Sequence, residues 1–242
     1  MMKKLVYALI IVLAIGSTGC VCMSVGIRGN GIPEKRTFDV KEFENIMLIG
    51  GMEAVIVQGD EYKVEVELDG NLYDVFDAHV SHSTLRIGFT RGASIRGYRT
   101  YNVHIQLPSL VSVDSTGSAD VTISGFTDAG KEMNISQTGS GTISVDVVLR
   151  KLEIEAAGSG TVTAKGSAEI LSFNGSGSGA LKAFELQSEQ VNIEQSGSGN
   201  IDVAVKNSLQ ADLAGSGHLR YKGTPSRMTI RSSGSAKVEQ AE

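Results

Sequence analysis

Seven serines share one context. Ser118, Ser140, Ser159, Ser178, Ser198, Ser216 and Ser235 each follow a glycine and precede a glycine or alanine. A serine hydroxyl both donates and accepts a hydrogen bond. Stacked at a regular repeat, seven of them would offer a flat hydrogen-bonding face to a glycan, a cell-wall polymer or another subunit. The plainer reading is that serine is small, polar and tolerant of turns, and so fills an outward corner. Other candidate chemistry is sparse. His79-x-x-His82 is an incomplete metal site, because no cysteine or carboxylate cluster nearby completes it. Cys20-x-Cys22 likewise lacks further ligands, and these are the only two cysteines, so no disulfide framework staples the chain. No metal and no cofactor is expected. Lys182, Asp202 and Arg220 occupy equivalent places in consecutive repeats. A polysaccharide-cleaving solenoid would gather such ionisable groups on one face, but stacked opposite charges read more simply as a surface ladder of weak ion pairs. With no Trp and 6 Tyr, a deep sugar-stacking platform is not expected.

The elements that position these residues follow from a repeat. The first glycines of the triplets are Gly117, Gly139, Gly158, Gly177, Gly197, Gly215 and Gly234, at steps of 22, 19, 19, 20, 18 and 19 residues. Six positions before them stand Val111, Met133, Leu152, Leu171, Val191, Leu209 and Met228; the positions four before and four after are also apolar in every unit. Alternation with period two marks short strands with one face buried. Each unit is therefore a strand, a Gly-Ser-small corner, a strand and a connection of about seven residues. One such unit cannot bury its apolar edge, whereas a stack of them can. The fold class expected is all-β: a right-handed, single-stranded parallel β-helix, or solenoid, with irregular N-terminal coils. Counting by twos puts the first and third triplet positions inside a narrow bore and the serine outside.

The chain opens with an export signal. Lys3-Lys4 precedes the apolar run from Leu5 to Ile15, and Gly16-Ser17-Thr18-Gly19 supplies small residues ahead of Cys20. A lipoprotein signal with Cys20 as the lipidated first residue is the favoured reading. An uncleaved anchor is the second, since no charge occurs between Lys4 and Arg28, and a cleaved soluble product is the third. The net charge is −5, and loss of Lys3 and Lys4 with the leader takes it to −7. An acidic chain without a basic stretch argues against nucleic acid and against anionic lipid. The chain divides into a signal peptide over 1–19, a linker over 20–35 and a β-helix domain over 36–240. Within that domain, 36–107 forms irregular coils that cap the stack and 108–240 forms the regular repeats. In the first part, Leu72 to Ala78 is expected to be a helical turn and Arg91 to Arg99 a mobile loop.

Five features together resemble a known family: Gly26-Ile-Arg-Gly-Asn-Gly31, Arg36-Thr-Phe-Asp-Val-Lys-Glu-Phe43, Gly50-Gly51-Met-Glu-Ala-Val-Ile-Val-Gln-Gly59, the Leu107-Pro108-x-Leu110 step and the Gly-Ser-Gly units. The resemblance is to the auto-transporter adhesin head GIN domain family and covers residues 26–240. It implies a bacterial envelope protein, lipoprotein-like, with a β-helical fold, and brings no catalytic or binding residues with it. The reading that results is a non-enzymatic β-solenoid of the cell envelope, exported and held at the periplasmic or outer face through a lipid on Cys20. Its partners would be the membrane, an envelope or host glycan or protein, and further copies of itself, but not nucleic acid. A carbohydrate-directed protein, binding or cleaving polysaccharide, is the alternative.

Overall fold

The computed structural model describes residues 26–242. The leader, Cys20 and Cys22 lie outside the described residues. The chain is nearly all β and forms stacked parallel coils, a solenoid of about seven turns. The N-terminal part holds β1 (Ile27–Arg28), β2 (Pro33–Phe38), β3 (Asn45–Gly50), β4 (Glu53–Gln58) and β5 (Lys63–Asp69). A 3₁₀ turn over Gly70–Val75 leads into β6 (Phe76–Ser81), β7 (Thr84–Phe89), β8 (Ile95–Gly97) and β9 (Tyr101–Leu107). The repeats follow as β10 (Ser112–Gly117), β11 (Asp120–Gly139), β12 (Thr142–Gly158), β13 (Thr161–Gly177), β14 (Ala180–Gly197) and β15 (Asn200–Gly215). The stack ends with β16 (His218–Lys222), β17 (Arg227–Gly234) and β18 (Lys237–Gln240).

Register is set by the corners. Gly117, Gly139, Gly158, Gly177, Gly197, Gly215 and Gly234 pair in succession, each with the glycine of the next coil. Inside, Val113, Ile135, Ile154, Phe173, Ile193, Ala211 and Ile230 lie in one ladder. A one-residue slip would turn every buried side chain outward, so the apolar pattern and the corners specify the same pairing. The connections expected between strands are themselves ladder. Val147 pairs with Gly166 and Gly166 with Leu186, while Leu149, Ala168 and Ser188 line up beside them. Phe126, Val147, Leu149, Ala168, Leu186 and Val205 are buried there and add a further wall to the core.

The first triplet position does not face inward. Gly117, Gly139, Gly158, Gly177, Gly197, Gly215 and Gly234 sit at the surface with φ between +108° and +132°. That conformation is nearly closed to residues with a Cβ. A Cβ built on Gly177 would also meet the Gly158 carbonyl oxygen at 2.5 Å. The turn itself breaks the count by twos, so the glycine answers to backbone geometry and not to a narrow bore. The third position is inside, as expected at Ala119, Gly141, Gly160, Gly199 and Gly217. Buried Gln137 reaches across Gly160, and its Nε2 donates to the Gly141 carbonyl at 2.6 Å.

The N-terminal region carries a rung that the period conceals. Gly50 pairs with Gly117 and has φ +126°, and β4 pairs with the start of β11. Gly50-Gly51-Met52 is thus a corner of the same column, set apart because residues 59–107 intervene before β10. That insertion, together with the segment before β3, builds a lid. On one side β9 joins β4 in parallel, and β5 and β2 then add antiparallel; on the other, β7 joins β3 in parallel and β6 closes antiparallel. The expected helical turn at Leu72 to Ala78 is the 3₁₀ turn, which stops at Val75 because Phe76 to Ala78 enter the β6 ladder. Residues 91–99, expected as a mobile loop, contain β8, which pairs with β1. The stretch assigned to a linker, 20–35, therefore includes β1 and the start of β2.

Candidate interaction surface

The serine column forms because each corner hands its main chain to the next. Gly50 accepts from the Ser118 N–H at 2.9 Å, Gly117 from Ser140 at 3.0 Å, and Gly139 from Ser159 at 3.0 Å. The same bond joins Ser178 to Gly158, Ser198 to Gly177, Ser216 to Gly197 and Ser235 to Gly215, all between 2.8 and 3.0 Å. All seven serines are exposed. Their hydroxyls take no protein partner among the described residues. The structure thus brings together all seven serines that the sequence proposes as a ladder. The result is a straight row of free hydroxyls, at about 4.8 Å per coil, on main chain that cannot shift without breaking the corner. Below Ser118 the row ends, because the next corner places Gly51 there. The Gly51 carbonyl accepts from the Tyr98 hydroxyl of the lid.

Beside the C-terminal corners lies a charged cleft of about 670 Å³. Both Asp202 oxygens accept from Arg220, Oδ1 from Nε at 2.7 Å and Oδ2 from Nη2 at 2.6 Å. The bidentate pair holds the guanidinium charged, and its pKa moves upward because of the Asp202 hydrogen bonds first. Arg220 also stands 5.4 Å from the Phe184 ring centre. His218 Nε2 lies 3.3 Å from Glu239. Lys182 joins the cleft but has no carboxylate within 4 Å, so only part of the expected ladder of ion pairs forms. Asp202 is thus engaged at both oxygens by a single guanidinium. His79 and His82 sit apart in role: His79 Nδ1 is 2.9 Å from Asp77, and His82 stands at the β6–β7 turn with φ +50°.

A second cleft, of about 840 Å³, lies where β1 meets β8, beside the lid. Asp69 is its floor and is fully buried. Its Oδ2 accepts from the main-chain N–H of Gly31 at 3.2 Å and of Arg99 at 3.0 Å, and its Oδ1 accepts from Thr100 at 3.1 Å. One carboxylate thereby clasps two loops that are far apart in sequence. In the sequence, Asp69-Gly70-Asn71 carries the signature of a turn and nothing more. What betrays the clasp is Gly29, where a Cβ would strike the Asp69 carboxylate.

Residues 42–225 match the model of the family described as "Putative auto-transporter adhesin, head GIN domain", and the chain belongs to that family. Among solved structures, it is similar to a "putative adhesin" from Bacteroides fragilis, with 23% identity and a TM-score of 0.83 over 89% of this chain and 100% of that one. It is also similar to a "putative lipid binding protein" from Parabacteroides distasonis, with 27% identity and a TM-score of 0.74 over 89% and 99%. A "putative adhesin" from Parabacteroides merdae shares 20% identity with a TM-score of 0.65 over 90% and 99%. The likenesses below 25% identity speak to the fold alone. No curated protein matches the chain.

Proposed function

We propose that this chain is a non-enzymatic envelope lipoprotein that uses its solenoid as a rigid contact surface, for adhesion or for structural interaction. Cys20 carries the lipid, and the domain stands at the periplasmic or outer face of the membrane. The supporting observation is the serine row: seven exposed, unpartnered hydroxyls on a fixed main chain, at one per coil. Such a row matches a repetitive partner, such as a glycan or cell-wall polymer, better than a compact ligand. Membership of an adhesin family agrees with this use. The ladder is tested by replacing Ser159, Ser178 and Ser198 together with alanine. Binding to whole cells or to arrayed glycans should fall at least tenfold while the strand circular dichroism spectrum stays unchanged. Binding that survives the triple change rejects the row as the contact surface. The mass of the mature N-terminus tests the tether, which requires an acylated Cys20.

A further inference from the structure

The cleft between β1 and β8 gathers three guanidinium groups around one carboxylate. Arg28, Arg96 and Arg99 line it. None of the three takes part in an ion pair within 4 Å, although 11 pairs of Lys or Arg with Asp or Glu occur elsewhere among the described residues. Residues 1–25 contain no Asp or Glu that could supply a partner. The single carboxylate at the floor, Asp69, accepts from three main-chain N–H groups and pairs with none of the arginines within 4 Å, so positive groups outnumber it three to one. The arginines are also positioned. The Arg96 side chain crosses the Gly26 backbone so closely that a Cβ there would lie 2.5 Å from its Cγ. Asp69 fixes the Arg99 main chain, and Arg28 pairs with Gly97 across the β1–β8 ladder.

We infer that this cleft binds the phosphodiester of a lipid headgroup, at the membrane to which the chain is tethered. Guanidinium forks match the oxygens of a phosphate. The choice of lipid rests on the proposed Cys20 tether. Cys20 lies six residues before Gly26, and an extended chain of that length covers about 20 Å. The cleft is therefore held within reach of the headgroup layer. Overall charge disfavours the longer alternatives. A polyanion extending past the cleft meets a mature chain of net charge −7, whereas a single headgroup feels chiefly the three arginines and Asp69, because screening limits the rest to about 8 Å at physiological salt. The acidic composition that argues against anionic lipid is an average, and the fold concentrates its exceptions in one place.

The test uses the full chain in an uncharged detergent and two probes: glycerophosphoglycerol, which is a headgroup diester without acyl chains, and inorganic phosphate. Binding is read from the ³¹P line width of each probe. The diester line should broaden, and the effect should weaken as salt rises. Affinity should fall at least tenfold in the Arg28→Ala, Arg96→Ala, Arg99→Ala triple variant and recover in part when all three are lysine. Arg227→Ala with Lys237→Ala, which removes two cations at the far end, should change nothing. All five side chains are exposed, and the single Arg96→Glu serves if the triple variant fails to fold. A diester line that stays sharp, or broadens equally in the triple variant, overturns the inference. Broadening by inorganic phosphate alone overturns it too, and assigns the cleft to free phosphate. Neither probe experiment depends on acylation, so the tether and the cleft fail separately.

Discussion

The lid and the column solve opposite problems with opposite means. The column repeats one small fit: a glycine with left-handed φ, an outward serine, and a third residue small enough to pass over the coil beneath. The lid repeats nothing. It closes the stack with antiparallel strands, with large buried residues such as Phe43, Leu68 and Leu72, and with rings gathered around Phe76. Phe38 lies 5.4 Å from Phe76 between ring centres, Tyr73 5.7 Å and Tyr101 6.2 Å. The far end of the column has no such cover among the described residues. Met228 is 51% exposed and Val238 is 36% exposed, at positions whose equivalents in the middle coils are buried. An interior built by repetition has identical requirements at every coil. Its ends need residues that the repeat cannot supply, because an open strand edge invites pairing.

If this contrast is right, the largest effect comes from a mid-column corner. Gly177→Val adds a branched side chain where φ is +108° and the Gly158 carbonyl already occupies the space. Backbone strain and overpacking together should cost about 4 kcal/mol, seen as a lower urea midpoint. Gly31→Ala in the lid, at φ +72° with open space around it, should cost only about 1 kcal/mol. A similar loss at both sites would erase the distinction between the corner and an ordinary left-handed turn. Next comes the lid's clasp. Asp69→Ala leaves the N–H groups of Gly31, Arg99 and Thr100 without their acceptor, and should cost about 3 kcal/mol. Hydrogen exchange should then quicken in β1 and β8 while the column stays protected.

The column's own ends sharpen the comparison further. Leu152→Ala, in a sealed coil, should cost about 3 kcal/mol. Met228→Ala, at the same position in the last coil, should stay within about 0.5 kcal/mol. Equal costs would mean that the last coil is covered in solution.

Acid gives the smallest effect, with opposite signs in the two regions. In the lid, the Lys63 hydrogen bond above all holds the Glu65 carboxyl below its usual range. Its contribution is present above the unfolded value and is lost as pH falls through the lower, folded one. In the first full coil of the column, burial pushes Asp114 upward. Its contribution is present at low pH and is lost as pH rises through the folded value. Asp114→Asn should therefore raise the melting temperature at pH 7 and not at pH 3. Lys63→Ala should lower it at pH 7 and leave it unchanged at pH 3.

Much of the column is legible in the sequence because one pattern is written seven times. The corner glycines, the outward serines and the apolar ladders at Val113, Ile135 and Ile154 all follow from spacing and period. Two details escape. The exposed first glycine is misplaced by counting in twos, since a left-handed turn interrupts the alternation. The coil at Gly50 is missed because the insertion separates it from Gly117 by 67 residues, and a period cannot bridge that gap. The lid is legible only as strands and turns. Its antiparallel closures, the Asp69 clasp and the Arg28–Arg96–Arg99 cleft join residues from 28 to 100 through contacts that leave no periodic trace. The serine row reads directly from the repeat, whereas the arginine cleft needs the fold.

The most direct test of the stacked column is the distance between spin labels placed at Ser118 and Ser235. Six coil steps of about 4.8 Å put these corners about 29 Å apart, and pulsed dipolar spectroscopy should return one narrow distribution near that value. A broad distribution, or a centre beyond about 40 Å, would contradict parallel coils in register.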